Sequence, residues 1–231
     1  MKTLKQHLER LQKVRRREHH PLIYTIHKKH KVSKRTLFYI KEYGPHSNVA
    51  KTILRESAQI LLLTSLISSF GGLTLEHIKP LFLKIVPLII MLPTLNDMIG
   101  DYGIIVSSRF STMLHEGKIK KSVWLNKELR VLFIQLIIIS LITALLSAAI
   151  ALVTSNMIST AVTMLTAFKL FLIAVADVLM LVMLLFATSV MAGLYFYKKK
   201  EDPNNFLIPI TTSIADFGNM ALLALLVILF F

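Results

Sequence analysis

The sequence predicts an all-α integral membrane protein with five transmembrane helices, and three observations predict it. Hydrophobic residues make up 54% of the 231 residues, and they come in long runs, not in the stripe of an amphipathic surface helix. Most of these runs match the roughly 20 apolar residues that cross a bilayer as a helix. Finally, the basic residues gather at the N-terminus and in alternate connections, as they do when a chain threads a membrane an odd number of times.

Residues 1–48 form a basic arm with no apolar run long enough to span. It includes Arg15-Arg16-Arg17 and Lys28-Lys29-His30-Lys31 and is expected to stay outside the bilayer core. Residues 49–231 are read as the five-helix domain. Its first span covers about 57–75, entered through an amphipathic stretch with Lys51, Arg55 and Glu56 and weakened near its end by Gly71-Gly72. The N-terminus opens with basic and polar residues in place of the short charged segment and apolar core of a signal peptide, so the first span is expected to act as its own insertion signal. The second span is placed from about Pro80. It holds Pro87 and Pro93 and turns polar at Asn96-Asp97, Gly100-Asp101 and Gly103, which predicts a kinked or broken helix. Broken backbone at membrane depth must lie against protein or water.

A polar segment over 107–130 follows, with Arg109, Lys118, Lys120, Lys121, Lys127 and Arg130 against Glu116 and Glu128. It is expected to be the longest connection between spans. The third span runs over 131–153, and Ala144, Ser147, Ala148 and Ala151 at helical spacing predict a close helix contact there. A neutral link through Thr154-Ser155-Asn156 leads to the fourth span, 158–197. That stretch is long for one crossing at about 1.5 Å per residue, so a tilted helix or an unwound start over 163–169 is expected. Lys198-Lys199-Lys200 closes it. Asp202-Pro203 then reads as an N-cap with proline at the first helical position, opening a fifth span that runs to Phe231. The basic arm and the two basic connections place the N-terminus in the cytoplasm and the C-terminus outside the cell membrane.

The chemistry is expected at Asp216, about ten residues into the apolar run 206–231. A carboxylate at that depth is costly and by default marks an ion or proton pathway. Pro209, Thr211, Thr212 and Ser213 add a helix disruptor and hydroxyls in the same turns. The plainer alternative makes Asp216 a packing carboxylate held by Lys169 or by Asn219. Asp177, midway along span four, reads either as a second ion or proton site or as a partner for Lys169 two turns earlier. Asn96 and Asp97 either line a vestibule or are solvated positions near a helix end, and Arg109 is read as structural. The chain holds no nucleophile and base pair and no metal-hydrolase motif, so it is not read as an enzyme, and with no cysteine it offers no thiolate site. His19, His20, His27 and His30 match no compact ligand set among their lysines. The arm's charge points to the lipids of the inner membrane face, not to nucleic acid.

Two segments resemble one family. Gly100-Asp101-Tyr102-Gly103, followed by Ser108-Arg109-Phe110-Ser111-Thr112 and His115-Glu116-Gly117, is similar to the Gly-Asn-x-Gly turn and Ser-Arg-x-x-Thr segment of the MgtE-type magnesium transporters and their eukaryotic solute-carrier relatives. Asp202-Pro203, Pro209, Thr211-Thr212 and Asp216 resemble the start of that family's fifth helix. Asp101 departs from the asparagine that many members carry. The resemblance implies a symmetric homodimer with helices two and five lining a pore, and a hydrated Mg2+ bound by Asp216, with Asp101 nearby and the threonine pair contributing oxygens. The family's cytoplasmic magnesium sensor is not matched in these residues, so its control is not carried over. Two further readings are kept: a proton- or sodium-coupled exporter, and a non-transporting scaffold subunit.

Overall fold

The computed structural model describes residues 4–12, 21–32, 37, 49–119, 126–158, 162–199 and 201–231. Arg15, Arg16, Arg17, His19, His20, Lys120, Lys121 and Lys200 lie outside the described residues. Seven helices occur among those described: α1 Leu4–Gln12, α2 Pro21–His30, α3 Val49–Lys84, α4 Val86–His115, α5 Lys127–Met157, α6 Met164–Lys198 and α7 Pro203–Phe230. Five of them are long and apolar enough to cross a membrane: α3 from Ser57 onward, and α4 to α7. The protein is therefore an all-α, multi-pass membrane protein.

Side-chain caps fix three of the helix starts. The Asp202 carboxylate accepts from the Asn204 amide at 3.1 Å, with Pro203 opening α7, as the Asp-Pro pair predicts. Asn126 accepts from the Leu129 amide at 3.1 Å to open α5. Thr163 does the same for α6 through the Thr166 amide. Because Thr163 satisfies that amide, α6 is wound from Met164 and residues 163–169 do not form the unwound start that the sequence suggested.

The boundary between the first two spans also differs from the sequence reading. α3 runs through Pro80 to Lys84, and the chain turns at Ile85, whose amide bonds the Phe82 carbonyl at 3.1 Å. Pro87, which has no N–H to donate, then sits in the first turn of α4, where none is needed. Pro80 and Pro93 are exposed, as are Glu76 and Ile89, the residues four earlier whose carbonyls those prolines leave without an amide. The rings thus face outward, and α4 is α-helical from Val86 to His115 across its polar residues, without the break expected there. As a result residues 107–115 belong to α4, residues 127–130 to α5, and the polar connection contracts.

α7 packs against α3, α4 and α6, while α5 packs on α4 and α6. In a bilayer such contacts rest on close fit and hydrogen bonds more than on expulsion of water. The small-residue stripe of α5 behaves as predicted: Ala144, Ser147, Ala148 and Ala151 are all buried. Close approach is also built at glycines, two of which bear on α4. A Cβ on Gly103 would meet the Thr211 Cβ at 3.0 Å, and one on Gly193 would meet the Phe110 ring at 2.8 Å. Gly103 draws α4 against α7, and Gly193 seats a fully buried phenylalanine. In the arm, Leu11, Ile23, Ile26 and Leu37 form a small core of their own, distinct from that of the bundle.

Candidate ion pathway

Asp216 stands at the junction of α3, α4 and α7. The Asn96 amide Nδ2 donates to its Oδ1 at 2.9 Å, and the Ser68 hydroxyl donates to its Oδ2 at 3.2 Å. Asn96 is itself oriented, because Asn219 Nδ2 donates to Asn96 Oδ1 at 3.0 Å. With its oxygen engaged, Asn96 turns its NH2 toward the carboxylate. The result is a directed chain from Asn219 through Asn96 to Asp216, with Ser68 closing it from α3. Asp216 is half-buried, Asn219 is fully buried, and the Asn219 Oδ1 has no partner among the described residues.

The threonine pair divides. Thr211 is fully buried: its hydroxyl donates to the Leu207 carbonyl at 2.8 Å and lies 3.2 Å from the Ser107 hydroxyl, which in turn is 3.3 Å from that of Ser189. It belongs to the seam between α4, α6 and α7. Thr212 is half-buried, one turn before Asp216, and gives its proton to the Ile208 carbonyl at 2.9 Å. Its remaining lone pairs are free to accept. Ser213 donates to the Thr64 carbonyl at 2.8 Å and fastens α7 to α3.

Asp97 and Asp101 lie one turn apart on an exposed face of α4. Among the described residues no cation pairs with Asp97, Asp101 or Asp216, and no three His, Cys, Asp or Glu side chains come together as a ligand set. The acids are therefore spread over two neighbouring helices of one chain. Asp177 is fully buried on α6, and both its oxygens lack a hydrogen-bond partner among the described residues. Lys169 partners neither Asp177 nor Asp216. Its ammonium donates to the Phe230 carbonyl at 2.7 Å and lies 4.8 Å from the centre of the Phe231 ring, at the negative end of the α7 dipole.

Sequence reasoning gave Asn96 as lining a vestibule or as a solvated position near a helix end, and named Asn219 only as a direct partner of Asp216. The structure puts Asn96 between them. Ser68 was missed. Its one signal is the recurrence of Ser65, Ser68 and Ser69 in an otherwise apolar run.

A five-span bundle with unpaired carboxylates on two packed helices has the make-up of a membrane cation carrier. The MgtE family of divalent cation transporters matches residues 92–226, and the chain belongs to that family. No curated protein and no solved structure matches it. The matched region holds Asn96, Asp97, Asp101, Asp177, Thr211, Thr212 and Asp216, whereas Ser68 on α3 lies outside it. The family is one of transporters, and the protein is not an enzyme.

Proposed function

We propose that the protein carries Mg2+ across the cell membrane as a hydrated ion retained by Asp216, in a pore lined by α4 and α7 at the axis of a symmetric homodimer. One observation carries this reading: Asp97, Asp101 and Asp216 put three carboxylates on adjacent membrane helices with no protein cation among the described residues to neutralise them. Unpaired acids in apolar surroundings are costly unless a mobile cation or water supplies the missing charge or hydrogen bonds. The exposed acid face of α4 calls for a partner that is not lipid, and a second copy on a two-fold axis supplies one while doubling the charge.

Mg2+ gives up water reluctantly and prefers octahedral oxygen coordination, so the pore is read as gripping its hydration shell. Asp216 has lone pairs left on both oxygens after accepting from Asn96 and Ser68. Thr212, one turn away, accepts from the same water shell, and Asp101 and Asp97 gather cations along α4. Thr211 supports the route indirectly, by holding the seam with Ser107. With the arm cytoplasmic and the C-terminus outside, inward movement of a divalent ion gains roughly 4.6 kcal/mol per 100 mV of inside-negative potential, twice the single-charge value. The test is Mg2+ uptake into proteoliposomes by Asp97→Asn/Asp101→Asn. A several-fold fall with assembly unchanged supports the acid face as part of the route, and unaltered uptake removes it.

Asp177 favours a second reading, coupling to another ion. A fully buried carboxyl with both oxygens unpartnered among the described residues is a candidate carrier for a proton or sodium ion. In that case uptake driven by potential alone stays constant in Asp177→Asn, while flux driven by a pH or sodium gradient is lost. Equal behaviour of the variant and the intact chain in all three assays removes Asp177 from transport.

A further inference from the structure

The ends of α4 and α6 and the starts of α5 and α7 lie at one end of the bundle, where the basic residues collect. A groove opens there between α4 and α5, lined by Arg109, Met113, Lys127, Glu128, Val131, Leu132 and Gln135. Arg109 lies six residues before the end of α4, about 9 Å along its axis, and Lys127 is the first residue of α5. Both side chains are exposed cations. The one acid of the groove is already engaged: Lys118 donates to Glu128 at 3.1 Å and to Glu116 at 2.9 Å. Those bonds hold the Lys118 ammonium above the ordinary lysine range. The groove therefore keeps a positive mouth. Along α5 the wall then carries Val131 and Leu132, with Gln135 one turn on, and the exposed Ile134 and Ile138 continue its apolar side.

A charged mouth at helix-end depth above an apolar wall is the profile of a phospholipid standing in its leaflet. We propose that this groove binds one anionic phospholipid, its phosphate between Arg109 and Lys127 and an acyl chain along Val131 and Ile138. The planar guanidinium of Arg109 pairs two phosphate oxygens at once. The apolar wall selects a tailed ligand over a free phosphate.

The test uses the purified full chain in neutral detergent, with native mass spectrometry counting bound phosphatidylglycerol. Arg109→Gln/Lys127→Gln is expected to bind it about thirtyfold more weakly, roughly fivefold for each cation near an anionic headgroup. Phosphatidylcholine is expected to bind poorly to both proteins, and glycerophosphoglycerol, the headgroup without chains, to neither. A photoactivatable phosphatidylglycerol on the unaltered chain is expected to label residues 131–138, which tests the site without any substitution. Equal binding by the double variant, equal retention of phosphatidylcholine, binding of the tailless headgroup as tight as that of the lipid, or labels confined to other helices each overturn the proposal.

Discussion

Asn96 is the side chain on which the geometry of Asp216 turns. It donates to the carboxylate while its own oxygen is held by Asn219, so each asparagine has a separable role. Asn96→Leu removes a hydrogen bond to a charged group, and a loss of roughly 1.5 kcal/mol lowers Mg2+ uptake about tenfold if that bond positions the ion site. Asn219→Leu keeps the donor but frees the amide to rotate, so a smaller fall is expected, measured in the same uptake assay with fold and assembly checked by size-exclusion chromatography. The place of Asp216 within a membrane-length helix was legible in the sequence, because the apolar run 206–231 surrounds it. Its partners were not. Hydrogen bonds from Ser68 and Asn96 cross 148 and 120 positions of the chain, and no local pattern announces such a pairing.

Among the helices, α4 and α7 meet where a glycine faces a threonine. Gly103→Ala places a methyl group against Thr211 at 3.0 Å, and overpacking of this kind costs about 1–3 kcal/mol. A lowered thermal midpoint in detergent is the expected result, with uptake falling as the seam between Ser107, Thr211 and Ser189 opens. Gly193→Ala, where the Phe110 ring leaves still less room, is expected to be the more damaging of the two. Existence and type of the five long helices followed from apolar runs, and the start of α7 from its Asp-Pro pair. Proline misled the reading of α3 and α4. Pro80, Pro87 and Pro93 carry the same local signal, yet only Pro87 marks a boundary, because the other two rings face outward and a helix tolerates them there. The expected unwinding of α6 failed for a different reason: length alone suggested it, and the cap at Thr163 decides it.

For the molecule as a whole, charge is the ground on which orientation and assembly are proposed. The first 48 residues carry 13 Lys and Arg against three Glu, from which the positive-inside rule predicts a cytoplasmic arm. The chain contains no cysteine, so single cysteines report without background. In oriented cells, Phe231→Cys is expected to react with a membrane-impermeant maleimide added outside, and Lys29→Cys only after permeabilisation. The reverse pattern inverts the topology. Ile104→Cys, on the exposed acid-bearing face of α4, is expected to form an oxidative dimer if that face lies on the two-fold axis, whereas a monomer under oxidation places it toward lipid.

The central claim is that Asp216 retains the transported ion. Mg2+ uptake into proteoliposomes under an imposed inside-negative potential tests it most directly, comparing the intact chain with Asp216→Ala of verified fold and assembly. Potential-driven uptake is expected from the intact chain, and uptake no greater than that of protein-free vesicles from the variant. Equal uptake by both proteins would contradict it, and would leave the carboxylate as a packing group held by Asn96 and Ser68.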